Sequence, residues 1–180
     1  ATADLDRVRA VFEDAFARVY AGEVDNDDFN RLVLTARLAA DEIVVLRAYA
    51  RYLRQTGFTL SQPFIEATLG NQPAIARLLV SLFRLRFDPA GHDDDAAARQ
   101  VRAIEAALEH VTNLSEDRVL RQLLALVLAT QRTNFWRRDA AGRRRSYLSF
   151  KFDPAKVPGL PEPKPKFEIF VYSPRFEGVH

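Results

Sequence analysis

The chain has 180 residues and a mass of 20.4 kDa, and its 48% apolar content is enough for one domain with a sizeable core and too much for general disorder. Lys and Arg number 26 against 24 Asp and Glu, so a net charge of +2 excludes a globally cationic nucleic-acid binder. The absence of cysteine excludes disulfides, Cys-ligated zinc and thiol nucleophiles, and favours a reducing, cytoplasmic setting.

The first element spans Ala3 to Tyr20, where Leu5, Val8, Phe12, Phe16 and Val19 recur at helical steps and Gly22 supplies a stop. No basic region followed by an apolar stretch precedes it. The chain starts at Ala1 and contains no methionine, which suggests a piece excised from a longer protein. Asp25 to Asp28 then place negative charge ahead of Phe29, Leu32 and Val33, predicting a short second helix. Asp41 and Glu42 open a stronger one, with a stripe of Ile43, Leu46, Ala50 and Leu53 widened by Val45, Tyr49 and Tyr52 and closed by Gly57. Arg47, Arg51 and Arg54 share its other face, which reads as solvated.

Ser61 with Pro63 and Asn71 with Pro73 each resemble a cap and first helical turn. The second of these helices carries Ile75, Leu78, Leu79, Leu82 and Phe83 and stops before Pro89 and Gly91. Asp93, Asp94 and Asp95 open the next, whose stripe is Val101, Ile104, Leu108 and Val111. Beside His92 they suggest a metal, but three adjacent acids at a helix start read better as charge that complements the dipole. Ser115, Glu116 and Asp117 cap a last helix through Thr130. Its run Leu123 to Ala129 is apolar all round, as at the centre of a bundle, and at seven residues is far short of the roughly 20 that cross a bilayer.

Beyond Arg132 the period changes from about 3.6 to two. Asn134 to Arg138, a turn at Ala140 to Gly142, and Ser146 to Phe152 predict a β-hairpin with Leu148, Phe150 and Phe152 on one face. Six of the nine prolines follow Asp153, and Pro158 to Pro165 reads as an extended connector. Phe167 to Tyr172 has the composition of a strand buried on both faces, so it reads as the opening strand of a domain continued elsewhere. The expected fold is mainly α, a multi-helix bundle with a C-terminal β-hairpin and one further strand. Its divisions are a helical domain over 1–131, the hairpin over 132–153, a Pro-rich connector over 154–166 and a truncated catalytic domain from 167 to 180.

Chemistry is sparse. The seven glycines form neither the dinucleotide nor the P-loop spacing, and histidines at 92, 110 and 180 make no helical ligand pair, so no catalytic, cofactor-binding or metal residue is assigned. The one dense basic cluster, Arg132, Arg137, Arg138, Arg143, Arg144 and Arg145 with Phe135 and Trp136 interleaved, has the composition of a single-strand nucleic-acid platform. It also straddles a hairpin turn, where charge keeps an edge soluble. Nucleic-acid or protein binding through Arg137, Arg138, Arg143, Arg144, Arg145 and Trp136 is therefore the alternative reading.

Particular strings carry a resemblance: Arg47-Ala-Tyr-Ala-Arg-Tyr-Leu-Arg-Gln, the stretch from Ser61 to Pro89, Asn113-Leu-Ser-Glu-Asp-Arg-Val-Leu-Arg, Ser146-Tyr-Leu-Ser-Phe-Lys-Phe-Asp-Pro and, most distinctive, Phe167-Glu-Ile-Phe-Val-Tyr-Ser-Pro-Arg-Phe-Glu-Gly-Val-His. Together they resemble the large bacterial NAD-specific glutamate dehydrogenases over nearly the whole chain. The resemblance implies a parent oxidoreductase that converts glutamate and NAD into 2-oxoglutarate, ammonium and NADH with help from a catalytic lysine. It also implies a glycine-rich, lysine-bearing segment and a dinucleotide-binding domain beyond His180. On that expectation this chain is an inactive helical spacer that binds no NAD itself. Its partners are the remainder of its own polypeptide and, in the parent enzyme, further subunits.

Overall fold

The computed structural model describes residues 2–180, without the side chains of residues 2–5 and 7. Among these residues the helices are α1 (Thr2–Tyr20), α2 (Leu32–Thr35), α3 (Ala40–Gln55), α4 (Gln62–Asn71), α5 (Pro73–Phe87), α6 (Asp94–Leu108) and α7 (Leu114–Ala129). The strands are β1 (Thr130–Thr133), β2 (Leu148–Phe152), β3 (Glu168–Ser173) and β4 (Phe176–Val179), in an antiparallel sheet of order β1-β2-β3-β4. The molecule is mainly α, as the periodicity predicts.

One apolar core runs from Ala15 of α1 to Tyr172 of β3, with α3 and α7 at its centre. α3 supplies Ile43, Leu46, Tyr49, Ala50, Tyr52 and Leu53, the predicted stripe and its widening. α7 buries Leu123, Leu124, Leu126, Val127 and Ala129, while Leu128 reaches solvent. No residue separates α7 from β1: Thr130 caps the helix and begins the strand, and a register irregularity follows at once between Thr130 and Arg132. No described helix is long and apolar enough to cross a membrane.

Several elements differ from expectation for local reasons. On α1 Ala15 is buried and Val11 packs against the core, whereas Phe12 and Phe16 are exposed and stack on each other at 6.4 Å; Leu5, counted in the predicted stripe, lies outside the described side chains. The helix expected after Asp28 is a 3₁₀ turn, Asp28–Arg31, leading into the single turn of α2. Ser61 caps α4 as read, accepting from the Phe64 amide, and Asp93 caps α6. Asn71 is the last residue of α4 rather than a cap, and its amide donates to Glu116 of α7. The cap of α7 is Asn113, not Ser115: the Asn113 side chain accepts from the amides of Ser115 and Glu116.

The hairpin forms, but its first arm is Thr130–Thr133, upstream of the expected Asn134 to Arg138, which instead makes a loop tied by a lone bridge between Arg138 and Arg144. Phe135 and Trp136 turn inward against Phe83, and that burial outcompetes extension of the strand. β2 shows the predicted alternation, with Leu148, Phe150 and Phe152 buried against the helices. β3 is not buried on both faces: Phe170 and Tyr172 face the core while Ile169 is 37% exposed, since helices cover one side of the sheet only. Nor is it short of neighbours, because β2 and β4 flank it. β4 was not anticipated; the Ser173 hydroxyl accepts from the Arg175 and Phe176 amides and closes the turn that reverses the chain.

Candidate functional site

Arg47 stands midway along α3, four residues after Ile43 and three before Ala50, inside the widened apolar stripe, and its side chain is completely buried. This corrects the reading of Arg47, Arg51 and Arg54 as one solvated row. A buried guanidinium needs a carboxylate, and Asp27 provides one: Nε donates to Oδ2 at 2.6 Å and one terminal nitrogen to Oδ1 at 2.7 Å. The same nitrogen also donates to Asn30 Oδ1 at 2.9 Å. Burial opposes the positive charge, but the Asp27 hydrogen bonds and attraction outweigh it and leave the Arg47 pKa above its ordinary value. Asp27 is held for this role by the extended backbone that lets it cap the 3₁₀ turn.

Tyr172 of β3 extends the cluster, since its hydroxyl donates to Asp25 Oδ2. Arg51 bridges outward, 3.9 Å from Asp25 and 3.8 Å from Glu177 of β4. Two further buried ties join α3 to the sheet region. Tyr52 donates to Glu168 of β3 at 2.7 Å, and Tyr49 meets the Thr130 hydroxyl at 2.9 Å. The Thr130 hydrogen goes to the Leu126 carbonyl, so Tyr49 is the donor in that pair. Burial pushes the phenols of Tyr49, Tyr52 and Tyr172 up, and for Tyr52 the bonded Glu168 adds to the effect. Rings reinforce the ties: Tyr49 stacks on Phe150 at 4.3 Å and Tyr52 on Phe152 at 4.1 Å. Such a network fixes geometry; its phenols stay protonated and are spent as donors to acceptors within the fold.

A cleft of about 970 Å³ opens beside this network, between the end of α1, the start of α3, the loop over 134–147 and the β3–β4 turn. Arg18, Arg138, Arg143, Arg144, Arg145 and Arg175 line it against three carboxylates, Glu23, Asp41 and Asp139. Asp41 is shared, pairing with Arg18 at 2.8 Å and with Arg144. Asp139 serves Arg143 at 3.1 Å and has its pKa depressed, first by the Arg143 backbone amide. Desolvation lowers the Arg144 pKa, and although Asp41 pulls it back up, the like charges of Arg138 and Arg18 add to the lowering.

The structure splits the predicted basic cluster. Arg138, Arg143, Arg144 and Arg145 reach the cleft, while Arg132 and Arg137 line a separate hollow of about 240 Å³ beside Lys151 and Ile169. Trp136 is stacked on Phe83 at 5.4 Å, and Phe135 carries the Arg144 guanidinium 4.3 Å above its ring. Sequence reasoning missed Arg18 and Arg175, which reach the cleft from distant elements, and the Asp25, Asp27, Arg47 and Tyr172 cluster. The position of Arg47 within an apolar stripe was the available signal for the latter.

All ladders of the sheet are antiparallel, so it has no parallel crossover at whose strand ends a pyrophosphate would be cradled. No hydride-transfer step is assigned to these residues.

Comparison with known proteins agrees with the fold. Residues 24–89 match the family described as glutamate dehydrogenase, helical motif 3, and residues 103–180 match bacterial NAD-glutamate dehydrogenase, catalytic domain. NAD-specific glutamate dehydrogenase of Halomonas elongata is 49% identical over 178 residues, 98% of this chain and 11% of that protein. The enzymes of that name from Pseudomonas aeruginosa and Mycobacterium tuberculosis are 47% and 43% identical over 98% and 94% of the chain, again 11% of their own lengths. The chain thus spans about a tenth of the curated relatives it matches. Relatives of one name align over 94–98% of the chain, and helical-motif and catalytic-domain matches of that same enzyme follow each other along it, so the chain belongs, as a segment, to the bacterial NAD-specific glutamate dehydrogenase family.

Proposed function

We infer that this chain is a noncatalytic mounting segment of an NAD-dependent glutamate dehydrogenase. The parent reaction is the oxidative deamination of L-glutamate: glutamate, NAD and water give 2-oxoglutarate, ammonium, NADH and a proton. Here the chain's own residues hold the catalytic region on the helical one, and the remainder of the polypeptide, assembled as a homo-oligomer, carries substrate and cofactor.

One observation supports this above the rest. Asp25 and Tyr52 lie in the helical-motif match and Glu168 and Tyr172 in the catalytic-domain match, and the hydrogen bonds Tyr172–Asp25 and Tyr52–Glu168 run between the two. A cluster built this way loses its partners if the two regions separate, so it serves to fix their relative placement.

The test compares NADH formation from glutamate and NAD by the full-length protein and by this 180-residue chain at equal concentration. Turnover in the full-length protein and none in the short chain is expected. Turnover by the short chain, or none by the full-length protein, would overturn the reading.

A further inference from the structure

We propose that the arginine-lined cleft is a binding site for a small, multiply charged anion, whose phosphate or carboxylate oxygens are gripped by Arg138, Arg145 and Arg175. This goes beyond the mounting role and does not depend on it.

The argument begins with unequal pairing. Six arginines line the cleft against three carboxylates, and those carboxylates are already engaged: Asp41 by Arg18 and Arg144, Asp139 by Arg143, and Glu23 by Arg18 at 3.6 Å. Arg138, Arg145 and Arg175 are exposed and pair with no carboxylate among the described residues. Guanidinium groups present flat forks of donors matched to the oxygen edge of a phosphate or carboxylate. Several forks around one hollow favour a ligand carrying more than one negative charge.

The setting strengthens each contact. The walls bring low-dielectric protein against the charges, and field lines focused in such a cleft raise the local concentration of anions. Arg144, two-thirds shielded from solvent and beside Arg138 and Arg18, already feels the crowding of like charges. An anion seated there relieves that crowding. A volume of about 970 Å³ admits a ligand of metabolite size.

The place of the cleft gives binding a consequence. Asp41 belongs to the helical-motif match, whereas Arg138, Arg145 and Arg175 belong to the catalytic-domain match. An anion in the cleft therefore touches mainly one wall, while Arg18 and Asp41 present the other.

Small size distinguishes this ligand from a nucleic-acid strand. A single-strand platform needs faces on which successive bases stack, and here Phe135 and Trp136 are engaged with Arg144 and Phe83.

The experiment titrates the full-length protein with pyrophosphate, with citrate and with a single-stranded oligonucleotide, using calorimetry with NAD held at saturation. The same titrations are run on the variant R138Q/R145Q/R175Q, whose melting temperature and NADH-forming activity report that it is folded. Binding of pyrophosphate or citrate by the natural protein is expected, with affinity falling as sodium chloride rises. Each guanidinium lost should weaken it roughly tenfold, as charge-assisted hydrogen bonds do. A stronger response to pyrophosphate identifies phosphate as the preferred group, and a stronger response to citrate identifies carboxylate. Equal affinity in the natural protein and the triple variant would overturn the proposal. So would binding of neither anion, or tight binding of the oligonucleotide alone. Because the readout is heat of binding, a protein without dehydrogenase activity still tests the site, using melting temperature as its folding control.

Discussion

The Tyr172 hydroxyl donates to the Asp25 carboxylate across 147 positions of chain, the longest reach of any side-chain hydrogen bond described here. It joins the third strand to the segment before α2, and the same segment supplies Asp27 to the buried Arg47. The pieces are therefore energetically coupled, and the coupling can be measured.

Removing one member of the Arg47–Asp27 pair strands the other in the core. D27A and R47M should each lower stability by about 3–5 kcal/mol, the usual cost of an uncompensated buried charge. The double variant D27A/R47M should cost less than the sum of the two, as expected for groups in direct contact. Urea unfolding of the four proteins checks this, and additive losses would contradict it. Y172F deletes one donor without a large change of shape and should cost about 1–3 kcal/mol, because the Asp25 acceptor is left short of a partner.

Alkaline pH should act through Tyr49, Tyr52 and Tyr172. Each has its folded-state pKa raised above the unfolded value of about 10, so the folded state retains its protons more tightly. The stabilisation these protons provide is whole below about pH 10 and is lost as pH climbs toward the folded-state values. Phenolate absorbance from these three residues should therefore appear together with loss of the helical circular-dichroism signal. Ionisation of all three well before unfolding would show that the phenols are not held as donors.

The aromatic pairs should carry much of the contact between α3 and the sheet. Phe152 packs face to face on Tyr52 at 4.1 Å and is fully buried, so F152A should cost about 3–5 kcal/mol through lost burial and the resulting cavity. Thermal unfolding measures this. F176A, on the exposed strand β4, should change stability by about 0.5 kcal/mol or less.

Asn113 and Ser115 offer a comparison of two neighbouring polar residues. Asn113 accepts two amide hydrogens at the start of α7, so N113A should destabilise by about 1 kcal/mol, whereas S115A should leave the chemical-denaturation midpoint almost unmoved. The opposite order would return the cap to Ser115.

These contrasts show which kinds of information the linear pattern carries. Periodicity marked α3, α5, α6 and α7 because one continuous apolar face decides each of them, and strict alternation marked β2. The burial of Arg47 was signalled by its place in an apolar stripe but overridden by its charge, which suggested solvent; its partner was not legible, since only the fold brings Asp27 across from 20 positions earlier to neutralise it. Ser115 looked like the cap because it precedes two acids, yet Asn113 has the better-placed acceptor. The first hairpin arm was misplaced because Phe135 and Trp136 resemble strand residues but gain more from packing on Phe83. Of the cleft, the local Arg138 to Arg145 group was visible, while Arg18 and Arg175 join it only through tertiary structure.

The junction of α7 and β1 has a mechanical consequence. With Ala129 helical, Thr130 already in the strand and the Thr130 hydroxyl bound to Leu126 and Tyr49, the joint has no slack. A rotation of α7 is therefore passed directly to Thr130, and the register irregularity between Thr130 and Arg132 is the first place along the ladder to β2 where it can be absorbed. Upstream of that irregularity the chain has no linker to flex, which makes α7 a lever on the sheet rather than a tether.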